Sequence, residues 1–401
     1  MELVDVIGQI LALGGLAIAG LLLNRAIKLD LTLACLLVGF LAGLSLGVVD
    51  FDTGIRAHNL QEIVFFLILP VLIFEAAWHL KPQLLRRWLP PILVLATLGV
   101  LVSCFVTAGL VYMGIGHATG FPWIAALLTG AILAATDPIA VISQLRSQKA
   151  PEDLTTLFEG ESLFNDASAV VLFVIILSFA TQTGGSQETS YLGFFAMVFL
   201  GGMVVGALCG LVSSAVTLLI GNAASTSFIL VFTAFGSFYL AEHVFHVSGI
   251  MAVMVSSLVI RFALSEVEET VAEGVGYTWG WLGLFFNSIL FVIMGLVITL
   301  DMFRGHWLSM LIAIVAALVA RGVAVGVCGL LTSPLKNNIS LPWQILLTWG
   351  GLRGAIAIAL ALSIPVELDY WWTIQSMVFG VVLFSLLVQG TTNKALINKL
   401  S

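Results

Sequence analysis

Residues 160–167 carry two carboxylates, an amide and a hydroxyl inside an otherwise apolar helical stretch. In an α-helix each residue turns by about 100°, so Ser162 and Asp166 share one face. Glu161 and Asn165 share the neighbouring face. Carboxylate and hydroxyl oxygens suit a small cation, and a buried carboxylate can also take up a proton. A polar seam that only holds helices together accounts for the serine and the amide, but poorly for the two charges.

Two helix breaks are predicted beside other charged residues. In the Thr-Asp-Pro run at 136–138, proline removes a backbone N–H and disfavours the helical conformation before it, next to Asp137. In the Gly-Gly-Leu-Arg-Gly run at 350–354, three glycines weaken the helix around Arg353. Broken helices expose partial charges and free carbonyls, which an ion can balance. Both breaks are therefore candidate parts of an ion site.

Two more ionisable residues lie within apolar stretches. Glu75 ends the run Leu-Pro-Val-Leu-Ile-Phe-Glu, and on its own it is equally well explained as a structural ion pair or as a ligand. Arg321 lies in a later apolar stretch, and the sequence does not identify its partner.

Membrane-spanning helices must position all of these residues. The chain is 60% hydrophobic and 9% charged, whereas soluble domains average about 45–50% apolar and about 25% charged. A span needs about 20 mainly apolar residues, and the chain offers about thirteen such stretches. We predict an all-α polytopic membrane protein that forms a single domain over residues 1–401, with the first stretch retained as a helix rather than removed as a signal peptide. The predicted spans are 4–24, 31–49, 60–78, 89–115, 122–146, 154–180, 191–220, 226–245, 248–264, 279–301, 307–332, 341–363 and 371–392.

The distribution of Lys and Arg predicts the orientation. Most basic residues in the connections follow odd-numbered spans, and the exceptions are Arg56 and Arg304. Positive residues concentrate on the cytoplasmic side, which places the C-terminus in the cytoplasm and the N-terminus outside. No basic patch of the kind that binds nucleic acid is present.

The chain also shows signs of an internal duplication. The fifth span opens with Phe-Pro-Trp at 121–123 and the twelfth with Leu-Pro-Trp at 341–343, and each has its break near the middle. Spans one to six would then repeat, inverted in the membrane, as spans eight to thirteen, with span seven as a linker. Inverted repeats with broken helices at corresponding positions are typical of secondary transporters. Chance similarity between apolar helices is the alternative.

Cysteines and histidines offer little chemistry. The cysteines stand singly in apolar segments, which favours packing over disulfides or metal binding: Cys35, Cys104, Cys209 and Cys328. His243 and His246, beside Glu242, have helical spacing, but without a third ligand they are better read as incidental than as a metal or pH-sensing site.

Taken together, four motifs resemble the monovalent cation:proton antiporter family, in its NhaP-like sodium/proton branch related to animal exchangers. They are the Phe-Glu-Ala of the third span, the Thr-Asp-Pro of the fifth, the Gly-Glu-Ser-x-x-Asn-Asp of the sixth and the Gly-x-Arg-Gly of the twelfth. The motifs occur in the family's order, and the resemblance covers the whole chain. Because only residues 393–401 follow the last predicted span, regulation through the long cytoplasmic tail of the animal exchangers is not expected.

The resemblance implies a role for each candidate residue. Asp166 would be the essential carboxylate that takes up either the cation or a proton. The monovalent cation would be held by Asp166, Asp137, Ser162, Glu75 and the backbone carbonyl of Thr136, directly or through water.

The remaining polar residues would support this site. Glu161 would pair with Arg353 and tie the sixth span to the broken twelfth, while Asn165 would hold the crossed breaks together. Arg321 resembles a family arginine whose partner is not assigned.

The implied fold has two inverted six-helix repeats with crossing fifth and twelfth helices. Residues 89–181 and 307–392 would form a moving ion-transporting core, 1–80 and 226–301 a dimer-forming scaffold, and 191–220 a linker helix. The implied location is a cell inner membrane.

The implied activity is exchange of Na⁺, or Li⁺, for H⁺ by a homodimer in the bilayer, without a cofactor and without enzymatic chemistry. Family members with Asn-Asp on the sixth span tend to exchange one cation for one proton, and here Asn165 precedes Asp166. K⁺/H⁺ exchange is the alternative substrate assignment. A passive cation channel, a non-transporting sensor and, more remotely, an intramembrane aspartyl protease are alternatives of a different class.

Overall fold

The computed structural model describes residues 3–49, 63–115, 121–181, 191–264 and 269–400, and the regular structure in these ranges is helical. Arg56 lies outside them. The first eight helices are α1 Leu3–Ile27, α2 Leu31–Val49, α3 Ile63–His79, α4 Pro82–Gly114, α5 Trp123–Ile132, α6 Ile139–Ser147, α7 Glu152–Ala180 and α8 Tyr191–Ile220. The others are α9 Ala223–Val244, α10 Gly249–Ala263, α11 Glu269–Val297, α12 Leu300–Thr332, α13 Leu341–Trp349, α14 Ala355–Leu362 and α15 Trp371–Leu400.

The all-helical prediction is confirmed, and most predicted spans coincide with one helix. The fifth predicted span is the pair α5 and α6, and the twelfth is the pair α13 and α14. Eight helices of the described residues are long and apolar enough to cross a membrane. The number of crossings and the inverted relation of the two halves stay predictions.

Four predicted spans fell short of their helices by more than a turn. Helix α4 begins at Pro82 rather than 89, α11 at Glu269 rather than 279 and α12 at Leu300 rather than 307, and α15 continues to Leu400 rather than 392. In each case the missed turns are polar or charged. Hydropathy marks where a helix is apolar, whereas helical hydrogen bonding continues through polar residues that favour the helix.

The helices pack in two groups. In one group α2 lies along α11, and α1 packs on both. Helices α3, α9 and α10 of this group pack on one another, and α3 and α9 also contact α11. The other contains α4, α5, α7 and α12–α15, where α12 packs on α4 and α15, and α7 packs on α4 and α5. Helix α8 lies along α10, and α7 also contacts α3, α8 and α10.

Small residues allow the closest helix approach in the first group. A Cβ added at Gly39 would overlap the backbone carbonyl of Val292, and one at Gly295 would overlap that of Leu36. Lipid tails compete with apolar side chains for contact, so membrane helices gain by bringing their backbones together at small residues. The α2–α11 pair is packed in this way.

Four free cysteines are distributed through the structure. Cys35, Cys104 and Cys328 are buried and Cys209 is half-buried, and none forms a disulfide. The described residues contain no cluster of three or more His, Cys, Asp or Glu side chains that could hold a metal ion.

Candidate ion-binding site

The two predicted helix breaks are present and touch each other. Helix α5 ends at Ile132 and α6 begins at Ile139, while α13 ends at Trp349 and α14 begins at Ala355. The N–H of Asp137 donates to the carbonyl oxygen of Leu352 at 2.8 Å, which joins one unwound segment to the other. Four helix ends therefore meet at one place in the second group of helices.

Asp137 lies at the amino ends of two of these half-helices. Its carboxylate accepts a hydrogen bond from the N–H of Ile139 at 3.0 Å, at the start of α6. The amino end of α14, at Ala355, also lies beside it. A negative charge is favourable there because the free N–H groups give a helix amino end a partial positive charge.

Arg353 lies at the carbonyl end of the opposite half-helix. Its guanidinium donates to the carbonyl oxygens of Ala134 at 3.1 Å and Ala135 at 2.9 Å, just after α5. The side chain is buried. The backbone N–H of Arg353 donates to the hydroxyl of Ser385 at 3.1 Å. A positive charge at the carbonyl end of a helix complements the partial negative charge of its unpaired carbonyls.

The expected Glu161–Arg353 pair was wrong. Glu161 instead forms a two-pronged salt bridge with Arg321 on α12, with Nη1–Oε1 at 2.8 Å and Nη2–Oε2 at 2.9 Å. Because the Arg353 guanidinium is bound to the carbonyls after α5, the counterion of Glu161 comes from α12. Arg321 also donates from Nε to the carbonyl of Leu347 at 3.2 Å, near the end of α13. Each of the first half-helices, α5 and α13, thus has an arginine at its carbonyl end.

The inner face of α7 ties Glu161 to the first break. Asn165 donates to Glu161 Oε1 at 2.7 Å and to the Thr136 hydroxyl at 2.6 Å. Its amide oxygen accepts from the Thr136 N–H at 3.3 Å. Asn165 therefore holds the first unwound segment against α7, and it reaches the second break only through Glu161 and Arg321.

The other face of α7 opens onto a cavity of about 510 Å³. Ser162 and Asp166 line it, together with Thr136 and Asp137. The hydroxyl of Ser162 donates to the backbone carbonyl of Thr136. Asp166 lies beside the Asp137 carboxylate and the backbone of Thr136. The two faces predicted for this helix are therefore divided between a cavity and a buried network.

Asp166 and Asp137 also differ from Glu75 and Glu159 of the same cavity in their counterions. Within the described residues neither forms an ion pair, whereas Glu75 pairs with a histidine and Glu159 with an arginine. A carboxylate with no counterion in a half-buried site must take up a proton or a cation to be neutralised. Of these four carboxylates, Asp137 and Asp166 therefore have most to gain from a bound proton or cation.

Glu75 reaches the same cavity from a different helix group. It lies on α3 and contacts His79 across one turn, with Nε2–Oε1 at 3.2 Å, a contact that is an ion pair when the imidazole is protonated. Its carboxylate also lies against α11, because a Cβ added at Gly283 would be 2.9 Å from the carboxylate carbon. Glu75 and Asp166 line the same cavity, but the charged partner of Glu75 is His79.

Several cavity residues were missed in the sequence analysis. Glu159 pairs with Arg146 at 2.6 Å and precedes Ser162 and Asp166 on the same face of α7. That spacing of three and then four residues was a usable signal. Asp30 also lines the cavity, as does Asn287, whose surrounding run is mostly apolar and gave no spacing signal.

The histidine pair near the end of α9 remains outside this site. Glu242 accepts a hydrogen bond from the N–H of Gly249 at 2.9 Å, and His243 stacks on Tyr239. These contacts give the glutamate and one histidine structural partners.

Comparison with known proteins identifies the family and several relatives of this chain. A family model described as "Sodium/hydrogen exchanger, transmembrane" matches residues 13–399. The Na(+)/H(+) antiporter ApNhaP of Aphanothece halophytica is 35% identical over 368 residues, which are 90% of this chain and 68% of the relative. The Na(+)/H(+) antiporter NhaH of Halobacillus dabanensis is 33% identical and covers 99% of this chain and 98% of the relative.

The fold is also that of a solved protein. The sodium proton antiporter MjNhaP1 from Methanocaldococcus jannaschii, determined at pH 8, superposes with a TM-score of 0.84 over 99% of both chains. At 21% identity this likeness concerns the fold.

Proposed function

Since the chain belongs to the sodium/hydrogen exchanger family, we propose that it exchanges Na⁺, or Li⁺, for H⁺ across a membrane. The observation that carries the proposal is the position of Asp166: it lines the cavity beside Asp137, at the contact between two helix breaks, without a counterion among the described residues. Membership of a transporter family also removes the aspartyl protease alternative.

Competition at Asp166 provides the exchange. Burial disfavours the ionised carboxylate, whereas a bound cation or a proton neutralises it. If the empty, charged site crosses the membrane slowly, each half-cycle must carry one of the two substrates. Asp166 is the group that binds both.

The cation would be held by oxygen atoms around Asp166. Ser162 and the Thr136 carbonyl are already in hydrogen-bonding contact with each other on the cavity wall. Asp137 accepts one backbone hydrogen bond, from Ile139, so it supplies its remaining lone pairs and a negative charge. Glu75, paired with His79, completes the set from α3, directly or through water.

The two helix groups supply a path for alternating access. We infer that residues 89–181 and 307–392 move as an ion-carrying core against a scaffold of 1–80 and 226–301, with 191–220 as the linker. The packing of α4, α5, α7 and α12–α15 on one another supports this division. A homodimer formed through the scaffold, a cytoplasmic C-terminus and an inner-membrane location belong to the same proposal.

Exchange in liposomes tests this function. Purified protein is reconstituted with an internal pH dye and challenged in turn with Na⁺, Li⁺ and K⁺ gradients. A pH change driven by Na⁺ or Li⁺ and not by K⁺ is expected, whereas one driven by K⁺ alone would establish the alternative substrate. Dissipative cation flux without proton movement would identify a channel, and no flux with any cation would contradict transport.

A further inference from the structure

Helix α11 forms one wall of the cavity and presents to it a single polar side chain. The lining residues from this helix are Gly280, Gly283, Leu284 and Asn287, which share one helix face. Two of them are glycines and one is a leucine. The amide of Asn287 is therefore the polar group that α11 offers to whatever occupies the cavity.

That amide is buried and incompletely satisfied. Asn287 is 8% exposed, and among the described residues its Oδ1 has no hydrogen-bond partner. Leaving a buried acceptor unpaired costs energy, so buried polar atoms are normally paired with protein, water or an ion. An acceptor that faces a cavity is free to bind water or an ion.

The surroundings of Asn287 favour a cation over an anion. The carboxylate of Glu75 lies against Gly283, one helical turn before Asn287 on the same face of α11. Across the same cavity are Asp137 and Asp166. Amide oxygens are common ligands of hard cations, and this one adds an oxygen without adding a charge.

We propose, resting on the function proposed above, that the Asn287 amide oxygen is a further ligand of the transported Na⁺, directly or through one water, on the α11 side of the cavity. Asn287 is neutral at every pH of interest, so it increases cation affinity without taking part in proton binding.

The contact should belong to one side of the membrane only. Asp166 lies on α7, whereas Asn287 lies on α11 in the other helix group. If the two groups move relative to each other during transport, Asn287 meets the cation only while the site faces this cavity. Its loss should weaken sodium binding from the face to which the cavity opens and not from the opposite face.

The test is Asn287→Ala, assayed in everted and in right-side-out membrane vesicles from host cells that lack sodium/proton antiporters. We expect the half-saturating Na⁺ concentration to rise about threefold to tenfold at one face, as for loss of one hydrogen-bond-sized contact. The half-saturating concentration at the other face, the maximal rate and the pH dependence at saturating Na⁺ should be unchanged. Asn287→Asp, which keeps an oxygen, should not reproduce the loss of affinity.

Asn393→Ala is the matched control. Asn393 is also a buried asparagine whose side-chain atoms have no partner among the described residues, but it is not among the residues that line the cavity. It should leave the half-saturating concentration unchanged at both faces. If Asn287→Ala is not recovered as monodisperse protein, Asn287→Leu fills the site without a polar atom and takes its place.

Two results would overturn the inference. Unchanged half-saturation at both faces in a folded variant would show that Asn287 does not meet the cation, and an equal rise at both faces would show a general effect on the site. Absence of exchange in the wild-type vesicles would instead contradict the proposed function.

Discussion

At the scale of single residues, the division of labour among the acidic side chains follows from their partners. Glu161 has Arg321, Glu159 has Arg146 and Glu75 has His79. Asp137 and Asp166 have backbone neighbours and each other, but no ion-pair partner among the described residues. A bound proton or cation therefore stabilises these two carboxylates more than it stabilises the carboxylates that already have a partner.

Asp166→Asn should abolish exchange driven by Na⁺ or Li⁺. The amide has nearly the same shape but binds neither a proton nor a cation as a carboxylate does, so the protein should still fold. Dye-loaded liposomes measure the exchange, and size-exclusion chromatography in detergent checks the fold. Robust exchange by the folded variant would contradict the central role of Asp166.

Glu161 and Arg321 should behave as a coupled structural pair. Both side chains are buried, so removing one leaves an uncompensated charge, at a cost of about 3 to 5 kcal/mol. We expect Glu161→Gln and Arg321→Gln each to lower the melting temperature in detergent by more than the double variant does. The exposed Lys81–Glu152 pair, at 2.7 Å, is the control and should show coupling below about 1 kcal/mol. Additive losses for Glu161 and Arg321 would show that their salt bridge does not contribute.

The sequence predicted the residues of this site better than their pairing. Helical spacing alone separated Ser162 and Asp166 from Glu161 and Asn165, because that depends only on local geometry. Which arginine meets Glu161 depends on how α12 and the second break lie relative to α7, which no local pattern contains. Asn287 and Asp30 were missed for the same reason: they enter the cavity only through tertiary packing.

At the scale of secondary structure, the break between α13 and α14 requires a residue without a side chain. A Cβ added at Gly354 would overlap the Asp137 side chain. The backbone there, with φ −145° and ψ −136°, does not demand glycine, so the constraint is space. The proline at 138 and the glycines at 350–354 predicted both breaks, but not this contact between them.

Gly354→Ala should therefore reduce exchange at least tenfold, because a shift of Asp137 disturbs both amino ends that it neutralises. Gly326→Ala on α12 is the control, since an added Cβ there meets nothing within 4 Å. It should preserve activity and, if anything, favour the helix. Initial rates of Na⁺-driven pH change in liposomes measure both. Equal, near-normal rates would show that the crossing tolerates the methyl group.

At the scale of the whole molecule, the charge moved in each cycle follows from how many cavity carboxylates change state. Asn165, beside Asp166, cannot titrate, and Glu161 remains paired with Arg321. Asp137 accepts a hydrogen bond from the N–H of Ile139 at the amino end of α6, which offsets part of the cost of burying its charge. We therefore propose that Asp166 alone alternates between a proton and a cation.

Exchange of one Na⁺ for one H⁺ moves no net charge, so a membrane potential, worth about 2.3 kcal/mol per charge per 100 mV, has nothing to act on. We expect sodium-driven proton movement in liposomes neither to create a potential nor to respond to one imposed with potassium and valinomycin. The control must first show that K⁺ is not transported. If changing the potential reverses the proton flux at fixed sodium and pH gradients, a second carboxylate must titrate in the cycle. Asp137→Asn and Glu75→Gln would then identify it, since only removal of the titrating group restores indifference to the potential.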